Sequence, residues 1–252
     1  MAETISNLSP LFIAVLGGII PSLIWLWFWL KEDLESPEPR GLVALSFFAG
    51  MAVVYFVLPL QKFVIASLDS SVHIAEIIAL KLSLLPPTEQ TVQITLWAII
   101  EEFAKYATVF FVAFKTRFFD EPIDAVIYLI TASLGFAAME NALYILKDIG
   151  QGGGVQALLD SNLRFVGATI LHTVSSAVVG IAAAFTFYAP KLIKFICITL
   201  GILIASLLHA HFNLSIIESD GTLNTLFVFS QFWVGIVGVI ILIQITKRLK
   251  TN

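Results

Sequence analysis

Charge is scarce in this sequence, and cysteine is nearly absent. Only 13% of its 252 residues are Asp, Glu, Lys or Arg, against about 25% in a typical soluble domain. Hydrophobic residues make up 58%, and mean hydropathy is +0.94. Such a composition excludes an ordinary water-soluble globule. Cys197, the one cysteine, lies in an apolar run and can close no internal disulfide. The opening MAETISNLSP holds Glu3 and no basic side chain, so it lacks the positive n-region of a cleaved signal peptide. The apolar run Leu11–Leu30 is therefore expected to be a retained span. The formal net charge of −4 is spread through short loops, and no basic tract invites nucleic acid. Internal repeats, low-complexity tracts and an H-E-x-x-H zinc signature are also missing.

What is present is a series of apolar runs of roughly 20 residues, the length that crosses a bilayer as a helix. The pattern predicts an all-α polytopic bundle of about seven spans in one integral-membrane domain over 1–252. The spans fall near 11–30, 41–60, 92–114, 124–146, 164–188, 192–213 and 224–246. KEDLESPEPR separates the first two. Thr88 is placed to cap the third, and Asp120 the fourth, with Pro122 in the first turn. GQGGGVQ reads as a flexible loop before the fifth. The connection 61–91 contains SSVHIAEIIALKLSLL, which sets His73, Glu76 and Ser83 roughly on one face. A helix lying in the interface is expected there, with an eighth span as the alternative.

Basic residues orient the bundle. With the C-terminus inside, Lys31, Arg40, Lys115, Arg117, Lys191, Lys194, Lys247, Arg248 and Lys250 are cytoplasmic. Only Lys62, Lys81, Lys147 and Arg164 then lie outside. This asymmetry predicts an external N-terminus in a cell-membrane protein.

Against that background, WAIIEEFAKY places Glu101, Glu102 and Lys105 within two turns of the third span. A Lys or Asp at a span centre costs about 2.5–3.5 kcal/mol, so such residues usually face a bundle interior and pair. At 1.5 Å per residue, Glu101 lies about 14 Å below the outer end of its span. Glu140, His172 and His209 lie about 9, 12 and 6 Å below theirs. Four successive helices thus carry carboxylates or imidazoles in the outer half of the bilayer. A carboxylate can take a proton from water, and histidine can bind a metal or stabilise an oxyanion. Asn213 shares a helix face with His209, as Ser176 does with His172. A Glu/His set can equally hold Zn²⁺ with one position open to water. His211 points away from His209 and reads as packing. His73 receives no role, and Glu121 and Asp124 read as cap and dipole partners. Residue chemistry alone leaves an intramembrane enzyme and a proton- or cation-coupled transporter both standing, with an inactive binding or immunity protein as a third reading.

At these residues the sequence resembles the PrsW-type intramembrane proteases, distant relatives of the CAAX-prenyl protease and bacteriocin-immunity group. EEFAK fits the family's E-E-x-x-K motif, and DEPIDAVIYLITASLGFAAMENALY is similar to its second block, including Phe136, Glu140 and Asn141. KEDLESPEPR is similar to its acidic first loop, and His172 with Gly180 and His209 with Asn213 to its later histidine helices. Phe212 stands where the family pattern would have tryptophan. The resemblance implies an endopeptidase that cleaves single-span membrane proteins, such as anti-sigma factors, near the outer surface. It implies Glu101 and Glu102 as activators of water, with Glu140 and His172 as their partners. His209 and Asn213 become oxyanion or ligand residues, and Lys105 a charge partner. The metal is left open between a glutamic and a metalloprotease. Zn²⁺, if used, is expected on Glu140, His172 and His209. Which glutamate is the base, and the oligomeric state, are not legible.

Overall fold

The computed structural model describes residues 10–33, 36–81, 87–151, 154–218 and 222–249. The expectations resting on Glu3, Ser83, the middle of the 150–154 loop and Lys250 lie outside the described residues. So do the side chains of Lys81 and Arg164. Eight α-helices follow in order: α1 Pro10–Leu30, α2 Arg40–Ala66, α3 Leu68–Lys81, α4 Glu89–Val112, α5 Pro122–Gly150, α6 Gly154–Phe185, α7 Lys191–Glu218 and α8 Thr222–Thr246. A 3₁₀ turn, Lys31–Asp33, extends α1.

Six of these are long and apolar enough to cross a membrane: α1, α2, α5, α6, α7 and α8. The seventh expected span forms as α4, whose 24 residues would reach about 36 Å. It falls outside the six by composition, because it carries Glu101, Glu102 and Lys105. All three are buried within the bundle. The helix expected within 61–91 is α3, whose 14 residues cover only about 21 Å and cannot span.

Helix ends differ from the expected spans in ways that matter for the site. α2 continues to Ala66, and α7 continues to Glu218. The longer α7 places His209 about 14 Å from its end rather than 6 Å. α6 begins at Gly154, earlier than expected, which shortens the glycine loop. Thr88 caps α4 as its sequence predicts, accepting from the Thr91 N–H at 3.1 Å. At α5 the N-cap is Glu121 rather than Asp120. Asp124 reaches back to the backbone N–H groups of Asp120 and Glu121 at 2.9 and 2.7 Å, so one carboxylate satisfies two orphan donors.

α5 is the axis of the fold. It packs against α1, α2 and α6, and 94% of its most apolar stretch is buried, against 22% for α7. Small residues allow that sheathing. A Cβ on Gly50 would collide with the Ala132 carbonyl, and one on Gly135 with the Phe47 carbonyl, so α2 and α5 run backbone to backbone. Gly180 does the same for α6, where a Cβ would lie 2.7 Å from the Val126 Cα. Around this axis, α4 packs on α2 and α7, which turns its polar face inward.

Candidate active site

Four helices bring the polar residues to one place. α4 supplies Glu101, Glu102 and Lys105, α5 Phe136 and Glu140, α6 His172 and Ser176, and α7 His209. Lys105 is wholly buried, and its ammonium lies 2.7 Å from Glu102 Oε1 and 2.7 Å from His172 Nδ1. Glu101 Oε2 is farther off, at 3.9 Å. The Phe136 ring covers the ammonium, with Nζ 4.5 Å from its centroid, and also packs against His172. The apolar wall that excludes water thus strengthens the charge pair it covers.

The two glutamates are not equivalent. Glu102 is fully committed: Oε1 faces Lys105 and, at 2.9 Å, His209 Nδ1, while Oε2 accepts from Ser176 at 3.1 Å. Glu101 instead lines a cavity of about 560 Å³, which Glu102 does not reach. Its Oε1 accepts from Gln61 Nε2 at 2.9 Å, and its buried Oε2 has no hydrogen-bond partner. The nearest imidazole nitrogen to that oxygen is His209 Nε2, at 3.6 Å. Adjacent helix positions differ by about 100°, so packing aims one carboxylate at the cavity and the other at the helix seam.

Tautomers follow from the donors. An ammonium only donates, so Lys105 makes His172 Nδ1 an acceptor and leaves the ring proton on Nε2. That proton faces Glu140 Oε2 at 2.8 Å. For His209, a proton on Nδ1 bonds Glu102 and leaves the Nε2 lone pair directed toward Glu101.

The remaining predicted residues fall around the cavity. Asn141 is 2% exposed, lines the cavity, and has an amide nitrogen with no hydrogen-bond partner. Asn213 also lines it, as does Phe212, which stacks on Phe229 at 5.9 Å. His211 is exposed, and His73 lies far outside the cluster, 4.0 Å from Glu76. Sequence reasoning missed Gln61 and Trp97. The apolar run weakens after Leu60, which reads as a connection at Gln61, whereas the helix carries on through it.

A multi-pass bundle that seals a carboxylate–imidazole network beside an open cavity has the build of an intramembrane hydrolase. The chain belongs to the PrsW family of intramembrane metalloproteases, whose family model matches residues 38–244. Family membership decides for the enzyme over the transporter. The chain is similar to Protease PrsW of Geobacillus kaustophilus, 32% identical over 150 residues that cover 59% of each chain. It is similar to Protease PrsW of Bacillus subtilis at 23% identity, over 90% of this chain and 94% of that one. Protease PrsW of Oceanobacillus iheyensis is 28% identical over 78% of this chain and 80% of its own. No solved structure matches the chain.

A metal is part of that family's chemistry, and three donors lie close enough to hold one once His172 gives up the Nε2 proton that faces Glu140. Ligand atoms of Glu101, His172 and His209 all lie within 4.8 Å of one another. Glu101 Oε2 is the orphaned oxygen, and Glu102 holds His209 by its other nitrogen, as an outer carboxylate does for a metal-bound imidazole. Among the described residues the group that could hold an ion is Glu101, His172 and His209, while Glu140, expected beside the two histidines, bonds His172 Nε2.

Proposed function

We propose that this intramembrane protease hydrolyses peptide bonds of single-span membrane proteins of the anti-sigma-factor kind, with Glu101 as the base that activates water. The observation that carries the reading is Glu101 Oε2, a buried carboxylate oxygen beside a cavity and without a hydrogen-bond partner. An acceptor left unmade in such a place costs about 1–3 kcal/mol, and a water in the cavity would recover it. The substrate class comes from the family resemblance. Val54, Val57, Leu58, Trp97 and Leu143 on the cavity wall suit the apolar end of a membrane segment.

In the reaction Glu101 takes a proton from water as the water oxygen attacks the scissile carbonyl carbon. Asn141 and Asn213 are the amide donors available to the oxygen that becomes negative. As the C–N bond breaks, Glu101 returns the proton to the leaving nitrogen, so no net proton is consumed. Glu102 orients His209, and Lys105 balances the charge of Glu102 while holding His172 against Glu140. A divalent cation such as Zn²⁺, if held by Glu101, His172 and His209, would supply a Lewis acid, and Glu101 Oε2 would then be its ligand instead of the base. The excess of basic residues at one end supports an external N-terminus, a cytoplasmic C-terminus and a site in the outer half of the bilayer.

The test uses protein reconstituted in liposomes with a library of tagged single-span segments. Cleavage by wild type is expected to fall about 10³-fold or more in Glu101→Gln with the fold retained. Undiminished cleavage by that variant would sink the assignment.

A further inference from the structure

The carboxylates, imidazoles and lysine of the network lie on α4 to α7, yet Glu101 also has a contact that comes from a fifth helix, α2. Gln61 Nε2 donates to Glu101 Oε1 at 2.9 Å across forty positions of sequence. One helical turn away, the Trp97 ring N–H donates to the Gln61 backbone carbonyl at 3.3 Å. Trp97 and Glu101 are four apart and share a face of α4, so Gln61 is gripped by both its main chain and its side chain. The grip lies just beyond Pro59, which sits within α2 and has no N–H to offer the Tyr55 carbonyl.

Chemistry makes the choice of residue informative. A carboxylate can rotate and present either oxygen. A single donor on Oε1 removes that freedom and leaves Oε2 facing Lys105 and His209, at 3.9 and 3.6 Å. An amide does this without charge. A lysine or arginine in its place would pair with Glu101 and weaken it as a base, and a glutamate would repel it. Gln61 also lines the cavity.

We propose that Gln61 is a positioning residue of the protease, fixing the Glu101 carboxylate so that Oε2 is the oxygen presented to water. The proposal rests on Glu101 as the base. It adds a residue from α2 to a site otherwise built by four later helices, and it gives the α2–α4 contact a role in turnover rather than in packing alone.

The test assays reconstituted protein against the single-span segment that wild type cleaves best, at several segment densities. Gln61→Met keeps the length of the side chain but cannot donate. Its kcat is expected to fall at least about 10-fold while KM moves less than about 3-fold. Gln61→His restores a ring N–H of similar reach and is expected to recover most of that loss. Wild-type kcat in Gln61→Met overturns the proposal, as does equal loss in both variants or a loss that tracks thermal unfolding. Glu101→Gln is run beside them. If it is inactive while Gln61→Met is normal, only the role of Gln61 fails. If Glu101→Gln cleaves normally, the base assignment fails and takes this proposal with it.

Discussion

Two regions of the bundle bury carboxylates, and they are built to opposite ends. Around Glu101 and Glu102 stand Lys105, His172 and His209, with a cavity of about 560 Å³ alongside. At the other end of α5, Asp33, Glu38, Glu121 and Asp124 gather where the first loop meets the second motif block. Glu38 accepts a hydrogen bond from Tyr128, Ser36 donates to Glu121 at 3.1 Å, and Asp124 is consumed by the start of its own helix. Burial pushes the Glu38 carboxyl above its usual range, so the tyrosine hydroxyl offsets a desolvation cost. Imidazole is absent from this second cluster among the described residues. Buried acid is therefore not what marks the active region. Asp33 Oδ2 is also buried without a hydrogen-bond partner, so an uncommitted oxygen does not mark it either. Acid joined to a buried lysine and two imidazoles is the distinguishing feature.

This contrast can be broken by substitution. Lys105→Met should have the largest effect, since it leaves Glu102 buried without its cation. A loss of about 3–5 kcal/mol is expected, read by chemical or thermal unfolding in detergent, together with loss of cleavage. Ser176→Ala removes one neutral donor from the same carboxylate and should cost about 1.5–3 kcal/mol. Cleavage should weaken with it, since Glu102 also holds His209. Tyr128→Phe, in the other cluster, should cost only about 1 kcal/mol and leave the kcat of the folded protein unchanged. A fall in kcat as large as that in Ser176→Ala would erase the distinction between the two regions. Chelation sharpens it further: cleavage lost to a chelator and restored by zinc would make Glu101 a ligand, cleavage that resists a chelator is expected with Glu101 as the base, and Tyr128→Phe should respond as wild type does.

Much of this was legible in the sequence because membrane helices tolerate few charges. Glu101, Glu102, Lys105, Glu140, His172 and His209 stand out from apolar runs, and depth along each helix brings them to a common level. What was not legible depends on how helices rotate and where they stop. Glu101 and Glu102 are chemically identical neighbours, and only the approach of α6 and α7 commits Glu102 to Ser176 and His209. Gln61 sits where hydropathy falls and a loop is the natural reading, so its partner appears only once α2 is seen to run on to Ala66. That Glu101, rather than Glu140, lies close to both histidines was hidden for a similar reason, since spacing along α5 does not say from which side Glu140 meets the imidazole.

The central claim is the division of labour between the adjacent glutamates, and the paired variants Glu101→Gln and Glu102→Gln test it most directly. Cleavage and unfolding are measured on both. Glu101→Gln should lose cleavage about 10³-fold with stability within about 1 kcal/mol of wild type. Glu102→Gln should lose about 3–5 kcal/mol of stability. Cleavage that survives in Glu101→Gln, or a Glu102→Gln protein as stable as wild type, would contradict the account.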